Sequence, residues 1–174
     1  MLVSLMKRRF PSFHFAITAT TRPKRANETD GVDYYFFSAE DFKTMIDRNE
    51  LLEWSQVYGN YYGVPAGKIT AALQRGQDAV LKVDVQGARK IKDKIPGAIL
   101  IFVAPPSAEA LAERLRNRKT ENPRDLKIRL DTSQEEMKAL PMFNYVVVNE
   151  EGRIEETMKQ MEKIIAKEKA SAAD

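Results

Sequence analysis

A continuous apolar run at residues 98–104, AILIFVA, constrains the fold of this chain more than any other stretch. Such a run without a polar break is typical of a strand in a parallel sheet that is covered on both faces. Residues 79–85 and 145–148 read as further strands rich in β-branched residues, and helical patterns lie between them. This alternation predicts an α/β layer fold with right-handed crossover connections.

Residues 18–77 interrupt the alternation with short strands and turns, which indicates a small mixed lobe inserted into the parallel core. Ser38 followed by Asp41 resembles a capping box and predicts a helix start. The other predicted elements are helices at 2–9, 65–76, 86–94, 107–117, 123–139 and 154–169, strands at 13–20 and 51–57, and a fraying tail at 170–174.

The composition excludes several classes of protein. The net charge of +3 over 174 residues is too mild to indicate a nucleic-acid partner. The absence of cysteine excludes disulfides and thiolate metal sites, and it fits a reducing compartment. No apolar run approaches the roughly 20 residues of a membrane span, and the first residues lack the order of a signal peptide. We therefore expect a cytoplasmic protein without a membrane partner, and the sequence does not indicate its oligomeric state.

The stretch 18–34 carries a cluster of cations in a loop. Arg22, Lys24 and Arg25 surround Pro23, which fixes its own φ and favours an extended conformation before it. Two guanidiniums presented in this way could grip a phosphate with their planar forks. Basic loops are more often simply solvated, so the loop by itself leaves both interpretations open.

Short motifs elsewhere favour the phosphate interpretation. Together and in this order they resemble the guanylate kinase family, and the resemblance covers nearly the whole chain from about residue 13 to the last predicted helix. The motifs are TTRPKR at 20–25, LEW at 52–54, GNYYG at 59–63, VDVQG at 83–87, APPS at 104–107 and VVVN at 146–149.

The resemblance implies an enzyme that transfers the γ-phosphoryl group of ATP to GMP or dGMP with Mg²⁺, giving ADP and GDP. It implies the parallel-sheet core of P-loop kinases, an inserted α+β lobe that binds GMP, and a small helical lid. The implied boundaries are core at 1–17, GMP-binding lobe at 18–77, core at 78–113, lid at 114–130 and core at 131–174.

Residue by residue, the resemblance places the acceptor site in the first half of the chain. Glu53 falls where the family holds guanine, and a carboxylate offers two adjacent acceptors to the N1–H and the exocyclic amine of that base. Thr18 and Asp84 match positions at the same guanine end. The positions that match the grip on the GMP phosphate are Arg22, Arg25, Tyr34 and Tyr62.

The donor side is implied by fewer residues. Arg114, Arg118 and Arg129 match lid and hinge arginines, which reach the phosphates when the lobes close and would be the catalytic cations. Asn149 matches a position near the adenine of ATP, and Arg118 also belongs to that ATP site. Two lid positions that are usually glycine carry Asn117 and Lys119, which puts the flexibility of the lid in question.

The chain departs from the family at the ATP-binding loop. Guanylate kinases carry a strand, then G-x-x-x-x-G-K-[ST], then a helix, and this loop cradles the ATP phosphates. The nearest string here, at 63–69, has three intervening residues instead of four and ends on Ile69. We therefore expect an N-terminally truncated reading of a gene, which retains the GMP site and turns over poorly, with no identifiable protein ligand for the metal.

Two substitutions and one alternative function stay open. Val64 replaces a usual hydroxyl residue near the base, and Lys82 replaces a usual acid near the metal and phosphates. Lys82 could disturb metal placement or supply positive charge. The alternative function is a catalytically inactive guanylate kinase-like module that binds GMP or phosphopeptides through the same basic pocket. His14, the only histidine, reads as a strand residue without a catalytic partner.

Overall fold

The computed structural model describes residues 2–117, 131–132 and 135–172, without the side chains of 114–117. It divides the chain into two compact units, one being Met6–Ala98 and the other Met1–Leu5 with Ile99–Asp174. The helices are α1 (Leu2–Arg9), α2 (Ala39–Asp47), α3 (Ala66–Gln74), α4 (Val85–Lys94), α5 (Ala108–Asn117) and α6 (Ile154–Ser171). The strands are β1 (His14–Phe15), β2 (Ala19–Thr20), β3 (Tyr35–Phe36), β4 (Leu51–Val57), β5 (Asn60–Pro65), β6 (Ala79–Val80), β7 (Ile101–Ala104) and β8 (Tyr145–Val148).

The Met6–Ala98 unit contains a four-stranded sheet in the order β3-β2-β5-β4. Strands β4 and β5 form an antiparallel hairpin, and both residues of its turn, Tyr58 and Gly59, have positive φ angles of 49° and 79°. Two successive positive φ values match the twist of the flanking strands. Helix α2 buries Phe42 against Ala19 and Leu51, which forms the core beneath this sheet.

Helix α2 begins as the sequence predicts. The Ser38 hydroxyl oxygen accepts a hydrogen bond from the Asp41 backbone N–H at 3.0 Å and donates to the Asp41 carboxylate at 2.7 Å. The second bond differs from a capping box, in which the side chain three residues on reaches back to the backbone of the cap. The cap therefore satisfies one of the free N–H groups of the first turn.

Helix α4 covers the open edge of the sheet at β4. The Lys90 ammonium donates to the Trp54 carbonyl oxygen and the Lys94 ammonium donates to the Leu52 carbonyl oxygen. Lysines four residues apart on a helix therefore match carbonyls two residues apart on a strand. Edge strands otherwise present unpaired backbone groups that can pair with other chains.

Two predicted strands are shorter than the sequence suggested. The prediction of one strand over 13–20 was wrong, because β1 pairs in parallel with β6 whereas β2 pairs with β3 and β5 in a different sheet. The predicted strand at 79–85 is regular only at β6, and the next four residues have no regular structure before α4. Residues of this segment line a cavity instead of pairing in a sheet.

The unit that contains Ile99–Asp174 is built on a parallel pair, β7 and β8, in the register Ile101↔Tyr145 to Ala104↔Val148. Helix α6 contacts β8 and buries Thr157, Met158 and Met161. It continues to Ser171, beyond the predicted start of fraying. The segment 118–130 lies outside the described residues, and the predicted domain boundaries stay predictions.

Burial of this pair differs from the expectation of two covered faces. Val147 is fully buried, whereas Val103, Val146 and Val148 are 41%, 47% and 39% exposed. Successive side chains of a strand point to opposite faces. Val103 is paired with Val147 and Ala104 with Val148, so each face of the pair carries both a buried and an exposed residue among those described. No helix among the described residues has the length and apolarity to cross a membrane.

Candidate functional site

A cavity of about 320 Å³ opens in the Met6–Ala98 unit. This volume lies at the lower end of the range for sites that hold small molecules. Its wall brings together five residues that the sequence analysis assigned to the acceptor site. The lining residues are Thr18, Tyr34, Glu53, Ser55, Val57, Tyr62, Lys82, Val83 and Asp84.

Glu53 is the most unusual group in this wall. It lies on β4, on the face that also buries Leu51 and Ser55, and its residue surface is 4% exposed. Its Oε2 atom is buried and has no hydrogen-bond partner among the described residues. A buried carboxylate oxygen without a donor is energetically costly. The carboxyl of Glu53 thus belongs to the cavity wall and has one oxygen, Oε2, without a donor among the described residues.

The surroundings of Glu53 also disfavour its ionised form. Burial raises the pKa of the Glu53 carboxyl to about 7, and the nearby charge of Asp84 acts in the same direction. Lys90 and Lys94 act in the opposite direction. The site is thus set to change its charge near neutral pH.

Asp84 connects the cavity to helix α4. It is the N-cap of that helix, where its Oδ1 accepts from the Gly87 backbone N–H at 2.7 Å. Its Oδ2 accepts from the Ser55 hydroxyl at 2.6 Å. Sequence reasoning did not single out Ser55, although its place two residues after Glu53 puts both on one face of a strand. Asp84 is thereby fixed by two hydrogen bonds.

Tyrosines and a lysine form another part of the wall. The Lys82 ammonium donates to the Tyr34 hydroxyl at 2.9 Å and lies 4.8 Å from the centroid of the Tyr34 ring. The rings of Tyr34 and Tyr62 meet edge to face at 6.4 Å. Thr18 is 7% exposed, and its carbonyl oxygen accepts from the Tyr35 backbone N–H at 3.0 Å. Hydroxyls and an ammonium thus accompany the carboxylates in the wall.

The two predicted phosphate arginines are not among the lining residues. Arg22 donates through Nη2 to both carboxylate oxygens of Glu28, at 2.8 and 3.0 Å, and this hydrogen bond is the chief cause that raises the Arg22 pKa. Its guanidinium carbon lies 5.4 Å from the ring centroid of Tyr34, which does line the cavity. Arg25 is exposed, and its backbone N–H donates to Glu28 at 2.9 Å.

The residues predicted for the donor side are described only in part. Arg118 and Arg129 lie outside the described residues, and Arg114 lies on α5 without a described side chain. Asn149 follows β8, where its backbone N–H donates to the Ala104 carbonyl at 2.8 Å and its Oδ1 accepts from the Thr157 hydroxyl at 3.4 Å. Within the described residues, no three His, Asp or Glu side chains are grouped to hold a metal ion.

Comparison with known proteins decides the family. The family model described as "Guanylate kinase" matches residues 1–168. The chain belongs to the guanylate kinase family. The predicted identity as a nucleotide-binding kinase of this family is therefore confirmed.

Individual guanylate kinases show the same similarity. The chain is 49% identical over 158 residues to guanylate kinase 2, chloroplastic/mitochondrial, of Oryza sativa, covering 90% of this chain and 55% of that protein. It is 39% identical to the guanylate kinase of Carboxydothermus hydrogenoformans, covering 94% of this chain and 79% of that protein. The guanylate kinase of Synechocystis is 40% identical, with 96% and 86% covered. The chain therefore spans little more than half the length of the rice relative.

The fold comparison agrees with the family. The crystal structure of guanylate kinase from Anaplasma phagocytophilum matches with a TM-score of 0.79 at 29% identity, covering 95% of this chain and 81% of that one. The predicted α/β fold, a parallel-sheet P-loop kinase core with an inserted mixed α+β lobe, is therefore confirmed.

Proposed function

We propose that the cavity in the Met6–Ala98 unit is the GMP site of a guanylate kinase, in which GMP or dGMP accepts the γ-phosphoryl group of ATP. The observation that carries the proposal is the Glu53 carboxyl, which belongs to the cavity wall, is buried, and has one oxygen, Oε2, without a donor among the described residues. Guanine presents two donors side by side, N1–H and the 2-amine. Adenine presents its 6-amine beside an acceptor at N1, so one of the two carboxylate oxygens would face another acceptor.

The roles of the other residues in the GMP site follow from this orientation of the guanine base. Tyr34 and Tyr62 line the same cavity and offer hydroxyls to the phosphate. Arg22 and Arg25 approach from the loop beside Glu28, and Arg22 would turn its fork from that carboxylate toward the phosphate dianion. Asp84 and Thr18 belong to the guanine end, and the two hydrogen bonds on Asp84 favour a fixed carboxylate there.

The donor half of the site rests on the resemblance alone. We assign lid roles to Arg114, Arg118 and Arg129, and an ATP contact to Asn149. Mg²⁺ would arrive with the phosphate oxygens of ATP. No three His, Asp or Glu side chains among the described residues are grouped to hold it. The cytoplasmic location likewise stays a prediction, which fractionation of cells that express the tagged chain would check.

The test is a calorimetric titration of the 174-residue chain with GMP and with AMP. A correctly paired base edge contributes about 1–3 kcal/mol of discrimination, or roughly 5- to 150-fold in Kd. We expect GMP to bind more tightly than AMP by a factor in this range. Equal binding of the two nucleotides, or no binding of either, would contradict the proposal.

Two variants sharpen the titration. Glu53→Gln places an amide donor beside an acceptor, which fits the N1 and 6-amine of adenine better than guanine, so the preference for GMP should fall or reverse. Glu40→Gln, on the exposed side of α2, is the matched control and should keep the preference. Loss of preference in both variants would remove Glu53 from the base site.

Phosphoryl transfer needs a separate assay. A coupled measurement of ADP formation from ATP in the presence of GMP tests turnover. Since the 174 residues contain no G-x-x-x-x-G-K-[ST] motif, we expect GMP binding by this chain without turnover. GMP-dependent ADP formation at a rate normal for such kinases, typically about 1–100 per second, would contradict this expectation.

A further inference from the structure

We propose that Lys82 is a further specificity-determining residue of the acceptor site and that its ammonium binds the phosphate group of the nucleotide directly. This inference rests on the proposed GMP site and goes beyond it, since it assigns a ligand contact to a residue of this chain that is not a phosphate ligand by resemblance. The ligand chemistry is a phosphomonoester, recognised by a cation together with tyrosine hydroxyls.

The first support is the place of Lys82 in the cavity wall. It lies in the irregular segment between β6 and α4, and it is the only basic side chain among the described lining residues. The wall also holds the carboxylates of Glu53 and Asp84. The structure shows no ion pair between Lys82 and any described carboxylate, so its charge is available to a ligand.

The second support is how the ammonium is positioned. Lys82 donates one hydrogen bond to the Tyr34 hydroxyl at 2.9 Å and lies over the Tyr34 ring. An ammonium has three donors, so two remain for phosphate oxygens. The Tyr34 hydroxyl accepts from Lys82 and can still donate its own proton to the same phosphate. The pair thus presents several donors to one anion.

The third support is the state of Arg22. Its Nη2 is engaged by both oxygens of Glu28, and its Nη1 donates to the Pro23 carbonyl at 2.6 Å. A phosphate that binds the Nη2 of Arg22 must displace Glu28 from it, whereas a phosphate that binds Lys82 replaces no ion pair with a described carboxylate. A phosphate that enters the cavity therefore disrupts fewer existing contacts when it binds Lys82 than when it binds Arg22.

The test compares GMP with guanosine, which differ only in the phosphate. We expect Lys82→Met to weaken GMP binding about 10-fold, the scale of one hydrogen bond to a charged group, and to leave guanosine binding unchanged. Lys82→Arg should retain most of the GMP affinity because it keeps the charge. Equal GMP affinity in the unaltered chain and Lys82→Met would overturn the proposal.

Lys68 provides a matched control. Its ammonium donates to the Tyr35 hydroxyl at 2.6 Å and lies 5.1 Å from the Tyr35 ring centroid, which repeats the geometry of the Lys82–Tyr34 pair away from the cavity wall. Lys68→Met removes the same kind of contact and should leave both titrations unchanged. A 10-fold loss of GMP affinity in this variant would mean that the effect is not specific to the cavity.

A double variant distinguishes a direct contact between Lys82 and the phosphate from an effect of Lys82 through Tyr34. In a Tyr34→Phe background, Lys82→Met should still weaken GMP binding if the ammonium touches the phosphate. If the substitution no longer has an effect there, Lys82 acts only by holding the hydroxyl, and the direct contact is overturned. If neither guanosine nor GMP binds the unaltered chain, the proposed function is overturned as well. This outcome differs from one in which both ligands bind and only the Lys82 contact is absent.

Discussion

The Oε2 atom of Glu53 lies 2.7 Å from the point that a Cβ atom would occupy at Gly87, and the Glu53 carboxyl carbon lies 3.0 Å from that point. Gly87 is buried in the first turn of α4, and its φ is not positive. The helix backbone thus touches the carboxylate, and a larger residue at this position would displace it.

Gly87→Ala is the first prediction. The new methyl group must push the Glu53 carboxylate or Val83 aside, because the Val83 Cβ is also only 3.1 Å from the same point. We expect GMP affinity to fall about 10-fold or more, a loss comparable to the contribution of one hydrogen-bonded base edge. Alanine favours the helix by about 1 kcal/mol, which offsets the cost of this displacement, so the melting temperature should change little. Calorimetric titration and a thermal melt measure the two effects.

Gly67→Ala is the control for this substitution. Gly67 lies in the first turn of α3, and an added Cβ would meet nothing within 4 Å. We expect a stability gain of up to about 1 kcal/mol and unchanged GMP affinity. Weaker GMP binding in Gly67→Ala but not in Gly87→Ala would contradict the role given to the contact between Gly87 and Glu53.

The second prediction concerns stability and pH. The pKa of Glu53 is raised from an ordinary 4.5 to about 7. The folded chain therefore holds a proton that the unfolded chain loses, and stability falls as pH rises between those two values. The full effect of such a shift is about 3 kcal/mol. Urea unfolding at about pH 5 and about pH 8 measures it.

Other groups titrate in the same range, so the pH slope needs a reference. Glu53→Gln removes the titrating group while it keeps the size of the side chain. The loss of stability between the two pH values should be smaller in this variant than in the unaltered chain. Identical losses would show that Glu53 titrates alike in the folded and unfolded states.

The third prediction concerns ligand binding and pH. Only the ionised carboxylate of Glu53 can accept from both guanine donors. Below a pKa of about 7, binding should weaken toward tenfold per pH unit, and above it the affinity should level off. Guanosine is the ligand to use, because the phosphate of GMP itself titrates near pH 6. An affinity for guanosine that is flat between about pH 5 and 8 would rule out this dependence.

The fourth prediction tests the scaffold apart from the site. Ser38→Ala removes the hydroxyl that accepts from the Asp41 backbone N–H at 3.0 Å. The loss of such a cap costs about 1 kcal/mol, and Ser38→Asn should restore most of it. Chemical denaturation of the two variants measures the difference. A loss of equal size in both would mean that the hydroxyl does not cap the helix.

The sequence predicts those elements whose cause is local. Helix α2 was predicted from its Ser38 cap, and β4 and α4 lie close to the predicted ranges 51–57 and 86–94. The predicted strand over 13–20 failed for a non-local reason. Its first part finds a partner at Ala79–Val80 and its last part at Tyr35–Phe36, and nothing within the segment itself indicates where the chain leaves one sheet for the other.

The candidate site also combines features that the sequence predicts with features that depend on non-local contacts. The motifs identify Glu53, and the structure brings it into one wall with Thr18, Tyr34, Tyr62 and Asp84. The contact of its carboxylate with the backbone of a distant helix could not be predicted, since it depends on how α4 lies against β4. The ion pair of Arg22 with Glu28 was missed because two flexible side chains in an irregular loop carry no periodic signal.

The central claim is that the buried carboxylate of Glu53 receives the guanine edge. A crystal structure of the chain with GMP tests it most directly. We predict that the Glu53 oxygens lie about 2.7–3.2 Å from the N1 and 2-amino nitrogens of the base, with the phosphate beside Tyr34 and Tyr62. A complex in which the base binds elsewhere and Oε2 of Glu53 still lacks a donor would contradict it.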